Sequence, residues 1–147
     1  MKSDADGRAV LVVEDSDDDF DTVVASAKLA GIGNLLVRAI DADAAAALLF
    51  GPGAGDFAFM LLDYKLPGLD GLSLLRQVRL DSRLSHLPTV VFTTSSNPGD
   101  RAAFYGAGAN AFHIKEVQYL ECLRTLQAIF DYWLNRVVLP KGVNALA

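Results

Sequence analysis

Five short apolar segments recur along the chain, and each is followed by a longer amphipathic stretch. The apolar segments are 9–13 (AVLVV), 35–39 (LLVRA), 57–62 (FAFMLL), 89–92 (TVVF) and 111–114 (AFHI). Three of them are almost wholly apolar, which suits strands covered by helices on both faces better than strands with one solvated face. Strands that alternate with helices in this order predict a parallel sheet built from β/α units.

Helix candidates lie between and after the apolar segments, and glycine and proline clusters separate the elements. The candidates lie near 17–30, 42–50, 71–80, 98–106 and 117–134. Connectors such as GPGAG, PGLDG and SNPGD supply the glycines and prolines that tight turns need. We therefore predict one α/β domain, a doubly wound five-stranded parallel sheet of flavodoxin-like order 2-1-3-4-5.

Length, charge and cysteine content restrict the class of protein. A chain of 147 residues with 52% hydrophobic residues has the size of one globular domain. The formal charge of −5 disfavours a nucleic-acid partner, since phosphate backbones would be repelled. No apolar run approaches the ~18 residues of a membrane span, so we predict no membrane partner. The lone Cys122 and the absence of a signal-peptide pattern favour a cytoplasmic location.

Acidic, hydroxyl and basic side chains follow four of the five predicted strands. Glu14 and Asp15 follow the first strand, Asp63 the third, Thr93 the fourth and Lys115 the fifth. In the order 2-1-3-4-5 the first and third strands are neighbours, and ligands collect at the carboxyl ends of such strands. The sequence therefore predicts one crevice lined by three carboxylates, a hydroxyl and an ammonium.

Three neighbouring carboxylates require a positive partner. Two like charges about 4 Å apart repel by about 4 kcal/mol at an effective dielectric constant near 20. Oxygen ligands in a small, partly hydrated site suit Mg²⁺, which also neutralises charge on a transferring phosphoryl group. We predict Mg²⁺ as the cofactor, held by Glu14, Asp15 and Asp63 directly or through water.

Four segments resemble the receiver domain of two-component response regulators. They are VLVVED, LLDYKLPGLDG, VVFTTS and GANAFHIK, and the resemblance covers roughly residues 8–134. It implies that Asp63 accepts a phosphoryl group and that the backbone carbonyl of Lys65 completes the metal ligands. It also implies that Lys115 pairs with the acyl phosphate. A further implication is that Thr93 binds a phosphoryl oxygen and lets Phe112 turn inward.

The segments TTSSNPGD and DYWLNRVVLP most resemble stand-alone regulators that partner phytochrome-type histidine kinases, the bacteriophytochromes. On this resemblance 1–7 is an N-terminal tail, 8–134 the receiver domain and 135–147 a C-terminal extension, with no output domain. The expected partners are a histidine kinase and either a histidine phosphotransfer protein or another binding target. The expected role is a phosphoacceptor switch with at most self-phosphorylation and self-dephosphorylation, not an enzyme.

A haloacid-dehalogenase-like phosphatase is the alternative interpretation. In that class Asp15 and Asp17 would form the Asp-x-Asp motif of nucleophile and general acid. The class also needs a later acidic pair at a strand end, and none follows Lys115. This interpretation leaves Asp63 without a role.

The polar residues at predicted helix starts receive a structural interpretation. Ser16, Asp17, Asp18 and Asp19 are expected to cap the first helix and to complement its dipole. Asp70 is expected to be a turn or cap residue before the third helix. Asn97 is expected to cap the fourth helix, because Pro98 suits the first helical position.

The end of the chain predicts two further features. Apolar residues recur through the last helix at spacings of three and four and extend beyond one face, so we predict a homodimer interface with Phe130, Trp133, Leu134 and Val137. Where the family usually has a proline after its lysine, often in a cis peptide, this chain has Glu116. A cis bond before a non-proline residue costs about 3–4 kcal/mol, so we predict a trans bond.

Overall fold

The computed structural model describes residues 7–52, 54–64 and 70–142. The strands are β1 (Ala9–Val13), β2 (Leu36–Ala39), β3 (Phe57–Leu62), β4 (Thr89–Thr93) and β5 (Ala111–Ile114). The helices are α1 (Asp17–Leu29), α2 (Ala42–Phe50), α3 (Gly71–Leu80), α4 (Pro98–Gly106) and α5 (Tyr119–Asp131), and a π-helical turn follows over Tyr132–Arg136. Residues 1–6 of the predicted tail, Lys65 and residues 143–147 of the predicted extension lie outside the described residues.

The five strands form one parallel sheet in the order β2-β1-β3-β4-β5, which confirms the predicted order. β1 lies between β2 and β3, and Val13 pairs with Ala39 on one side and Leu62 on the other. The carboxyl ends of β1 and β3 are therefore adjacent. The polar residues that follow these two strands emerge at the same edge of the sheet.

Apolar layers cover both faces of the sheet. One face packs against α2, α3 and α4 through residues such as Leu74 and Phe104, and the other packs against α1 and α5 through residues such as Leu126. Every residue of β3 is buried. Three of its side chains enter one layer and three enter the other, and alternation is interrupted at Ala58 and Phe59, which share a layer. This double burial explains why the apolar segments are continuous rather than alternating.

Three helices begin at the predicted caps. Ser16 Oγ accepts from the Asp19 amide at 3.2 Å, and Asp70 accepts from the Ser73 amide at 2.8 Å. Asn97 Oδ1 accepts from the Gly99 amide at 2.8 Å, with proline at the start of α4. Each side chain satisfies one amide that a helix N-terminus leaves without an intrahelical partner.

The end of the helical region differs from the prediction. The Val137 amide donates to the Tyr132 carbonyl at 2.9 Å, the i to i+5 pattern of a π-helix. Phe130 is 0% exposed and Leu134 is 6% exposed, both within the layer that covers β3. Because their own domain already covers them, Phe130 and Leu134 are core residues, and the prediction of an interface role for them is corrected. Trp133 and Val137 are half-buried.

Among the residues that the structure describes, no helix combines the length and the apolar character needed to cross a membrane.

Candidate functional site

The three predicted carboxylates meet at the edge where β1 and β3 end. Glu14 and Asp63 are buried and Asp15 is exposed, and one carboxylate oxygen from each lies within 4.8 Å of the others. The Glu14 amide donates to the Ala39 carbonyl at 2.9 Å, and the Asp63 amide donates to the Val13 carbonyl at 3.1 Å. These backbone bonds continue the sheet past the strand ends and fix the directions of the acidic side chains.

Lys115 joins this cluster from the end of β5. Its Nζ donates to Glu14 Oε1 at 2.8 Å, to Asp19 Oδ2 at 2.8 Å and to Asp63 Oδ2 at 3.1 Å. The Nζ also lies 5.8 Å from the centroid of the Phe92 ring, within the range of a cation–π contact. The predicted lysine is therefore placed among the predicted carboxylates.

Asp19 is a site residue that the sequence analysis assigned only to the helix dipole. It lies in the first turn of α1, yet its carboxylate contacts Lys115 Nζ as closely as Glu14 does. The expectation of a purely helix-capping role is therefore corrected. The sequence feature that could have indicated this role is the position of Asp19 in the first turn of the helix that follows Glu14 and Asp15.

Arg38 in β2 was also missed, because the end of the second strand was expected to carry no chemistry. Its Nε donates to the Glu14 carbonyl at 3.0 Å, and its Nη1 pairs with Asp17 Oδ1 at 2.7 Å. The guanidinium lies 5.1 Å from the centroid of the Phe20 ring. Arg38 thus ties the connection between β1 and α1 to β2. The sequence feature that could have indicated a role for Arg38 is its charge within the otherwise apolar segment 35–39.

The cluster changes the proton affinity of its buried members. Burial raises the pKa of Glu14 to about 7, although the ammonium of Lys115 acts in the opposite direction. Burial alone would lower the pKa of Lys115, but the hydrogen bonds that Lys115 donates to Asp19 and Glu14 and the charge of Asp63 raise that pKa above its usual value. Lys115 therefore stays cationic at neutral pH.

Thr93 and Phe112 occupy the neighbouring strands. Thr93 is buried at the end of β4, its Oγ1 accepts from the Ser95 amide at 3.4 Å, and its carbonyl accepts from the Lys115 amide at 2.7 Å. Phe112 is half-buried in β5, with its ring centroid 5.9 Å from that of Phe104. Thr93 is thus joined to Lys115 through its backbone carbonyl, and Phe112 packs against Phe104 of α4.

The connection from β5 to α5 has a trans Lys115–Glu116 bond, as predicted, since the described residues contain no cis peptide. The Glu116 carboxylate accepts from Thr125 Oγ1 at 2.8 Å and ties this connection to α5.

The acidic cluster fits a divalent cation. Glu14, Asp15 and Asp63 each offer an oxygen within the stated 4.8 Å, and carboxylate oxygens are the donors that hard divalent cations prefer. The predicted Lys65 ligand lies outside the described residues.

Several known proteins are similar to this chain in sequence and fold. The response regulator Rcp1 of Synechocystis sp. is 32% identical over 137 residues, which cover 90% of this chain and 93% of Rcp1. The crystal structure of the Mn²⁺-bound form of Rcp1 matches with a TM-score of 0.87 at 31% identity, covering 91% of this chain and 99% of that one. The phosphorylated cyanobacterial phytochrome response regulator RcpA matches with a TM-score of 0.86 at 25% identity, covering 91% and 99% of the two chains. The bacteriophytochrome response regulator AtBRR matches with a TM-score of 0.69 at 31% identity, covering 91% and 98%.

These likenesses do not favour the haloacid-dehalogenase alternative, in which Asp15 would be the nucleophile. Residues 10–127 match the response regulator receiver domain, and that range includes both the acidic pair and Lys115. Sequence, strand order and site geometry agree, so this chain belongs to the family of response regulator receiver domains and is similar to its phytochrome-associated members.

Proposed function

We propose that Asp63 is the phosphoacceptor of a two-component phosphorelay. The observation that carries the proposal is its position beside two further carboxylates and 3.1 Å from Lys115 Nζ. An oxygen of Asp63 attacks the phosphorus of a phosphohistidine. The new P–O bond forms as the P–N bond breaks, and the electron pair of that bond returns to the imidazole of the donor.

The other residues of the site support this transfer. Lys115 places its positive charge beside the acceptor oxygen, where negative charge accumulates. When bound by Glu14, Asp15 and Asp63, Mg²⁺ would supply further positive charge to the transferring group. By resemblance to the family, the backbone carbonyl of Lys65 completes that ligand set.

The switch proposed from the family resemblance uses Thr93 and Phe112. The Thr93 hydroxyl turns from the Ser95 amide, to which its present bond is long at 3.4 Å, and donates to a phosphoryl oxygen. The space that this movement leaves lets Phe112 turn inward. The surface around β5 then differs between the unphosphorylated and the phosphorylated protein, and partners bind the two forms with different affinity.

The proposed partners follow from the same resemblance. A histidine kinase of the bacteriophytochrome type donates the phosphoryl group, since the similar proteins RcpA and AtBRR are phytochrome response regulators. A histidine phosphotransfer protein or another binding target receives the signal. We propose that the chain's own chemistry is limited to self-phosphorylation and self-dephosphorylation.

Acetyl phosphate provides the test of this function. In the presence of Mg²⁺ we expect the protein to gain the mass of one phosphoryl group and to lose it on treatment with hydroxylamine, which cleaves acyl phosphates. Slow uptake of one phosphoryl group per molecule supports the role of a phosphoacceptor switch. Sustained release of many equivalents of phosphate would instead indicate a phosphatase.

Binding of Mg²⁺ is expected to weaken as the pH falls through about 7. Burial raises the pKa of Glu14 to about 7, and a protonated carboxyl is a poor metal ligand. Calorimetric titration at pH 6 should give an affinity roughly tenfold lower than at pH 8. The Glu14→Gln variant should lose most of this pH dependence, and an unchanged dependence in that variant would contradict the assignment.

We also propose a homodimer that uses the exposed apolar residues near the C-terminal end of α5. Val138 is 91% exposed, and Trp133 and Val137 of the same segment are half-buried. Exposed apolar clusters of this kind mark interaction surfaces.

Light scattering should therefore report a dimer for the wild type at tens of micromolar and a monomer for Val138→Asp. Leu80→Asp is the matched control, since Leu80 at the end of α3 is 87% exposed, close to the value for Val138. A monomeric wild type, or equal effects of the two substitutions, would exclude this interface.

A further inference from the structure

The ammonium of Lys115 has no donor left for a phosphoryl oxygen. An ammonium group carries three N–H donors, and the three acceptors at 2.8, 2.8 and 3.1 Å are Glu14, Asp19 and Asp63. Phosphorylation turns Asp63 into an acyl phosphate whose negative charge lies on the phosphoryl oxygens. For Lys115 to reach such an oxygen while it keeps its contact with Asp63, its bond to Glu14 or its bond to Asp19 must break. The structure indicates which bond that is.

The three acceptors differ in their access to water. The side chain of Glu14 is 5% exposed and that of Asp63 is 10% exposed, whereas that of Asp19 is 46% exposed. A buried carboxylate that loses a hydrogen-bond donor cannot replace that donor with water, which is costly. A half-exposed carboxylate is rehydrated instead. The bond to Asp19 is the one whose loss costs least.

We propose that Asp19 is a positioning residue that holds Lys115 in the unphosphorylated protein and competes with the phosphoryl group for Lys115 Nζ. This inference rests on the proposed function of Asp63. Asp19 thus occupies the place that a phosphoryl oxygen takes after transfer. The strength of its bond to Lys115 sets how readily the phosphorylated state is reached.

The surrounding chain explains why such a holder lies on α1. Lys115 follows β5 and precedes a trans bond to Glu116, and Glu116 is tied to α5 through Thr125. Helices α1 and α5 pack side by side. Asp19, in the first turn of α1, therefore contacts Lys115 from an element that is not part of the β5–α5 connection. The bond between Asp19 and Lys115 can therefore break while the backbone of the β5–α5 connection stays in place.

Beryllofluoride, which mimics a bound phosphoryl group without a covalent transfer, provides the test. It is titrated in the presence of saturating Mg²⁺ into the wild type, Asp19→Asn and Asp18→Asn. Asp18→Asn is the matched control, since it removes one negative charge from the same helical turn and Asp18 is exposed. Asp19→Asn should bind beryllofluoride roughly threefold to tenfold more tightly than Asp18→Asn, because a charged competitor becomes a neutral one.

A purely structural role of Asp19 predicts no difference in beryllofluoride affinity between the two variants. Loss of a helix-dipole contact would lower the urea midpoint of both variants and leave their beryllofluoride affinities alike. Equal or weaker binding by Asp19→Asn than by Asp18→Asn therefore overturns the inference. Asp19→Glu keeps the charge and should return the affinity toward the wild-type value. Should Asp19→Asn fail to unfold cooperatively, Asp19→Ser serves in its place, with the same expected tightening.

The test separates the inference from the function on which it rests. If the wild type binds beryllofluoride and Asp19→Asn shows no tightening, only the role of Asp19 fails. If the wild type binds no beryllofluoride with Mg²⁺, the proposed function fails, and the role of Asp19 fails with it.

Discussion

Asp63→Asn is expected to lose essentially all phosphoryl uptake from acetyl phosphate in the presence of Mg²⁺. An amide oxygen lacks the negative charge that makes a carboxylate oxygen a nucleophile. Asparagine has nearly the same shape as aspartate, so the buried site beside Lys115 keeps its packing. Intact-mass measurement before and after incubation checks the result.

Asp41→Asn is the control for this substitution. Asp41 caps α2 at the same edge of the sheet, where its side chain accepts from the Ala44 amide at 2.7 Å. Asparagine caps helices as well as aspartate does, so this variant should fold and take up phosphate like the wild type. A phosphoryl adduct that persists in Asp63→Asn would assign the acceptor to another residue.

Phe130→Ala is expected to lower the free energy of unfolding by about 3–5 kcal/mol. The Phe130 ring is 0% exposed, and its centroid lies 6.0 Å from that of Phe59 in the middle of the sheet. Removal of the ring takes away apolar contacts on every side and leaves a cavity that the rigid layer fills only in part. Urea denaturation followed by circular dichroism measures the change.

Leu120→Ala on the same helix is the control, since Leu120 is 64% exposed. Its free energy of unfolding should change by less than about 0.5 kcal/mol. The same experiment distinguishes a core role of Phe130 from an interface role. A loss of stability that is equal at low and high protein concentration supports the core role. A loss seen only as dissociation of a dimer would restore the interface assignment.

Local pattern alone was enough to predict the strands and most helix limits. The limits of β1, β3 and β5 agree with the predicted segments, because strands buried on both faces must be continuously apolar. The caps at Ser16, Asp70 and Asn97 could also be predicted, because a capping bond spans only two or three residues.

The meeting of Glu14, Asp15 and Asp63 required one further step. The strand order places the ends of β1 and β3 side by side, and a parallel sheet carries its ligands at that edge. Given the order, residues far apart in the chain become neighbours without any knowledge of side-chain geometry. The acidic cluster was therefore predictable from sequence and topology together.

The sequence by itself was enough to predict a five-stranded parallel sheet and the polar residues that follow its strands. Together with the order 2-1-3-4-5, it also predicted the edge of the sheet that carries the chemistry and the carboxylates that meet there. Only the tertiary structure decided that Asp19 contacts Lys115, that Arg38 holds the Glu14 carbonyl and that Phe130 belongs to the core. These contacts depend on how each helix is rotated about its axis and on which way each side chain leaves the backbone. Such orientations are set by the packing of the complete layers, because residues three and four apart on a helix serve a core face or an exposed face equally well until a neighbour covers one of them.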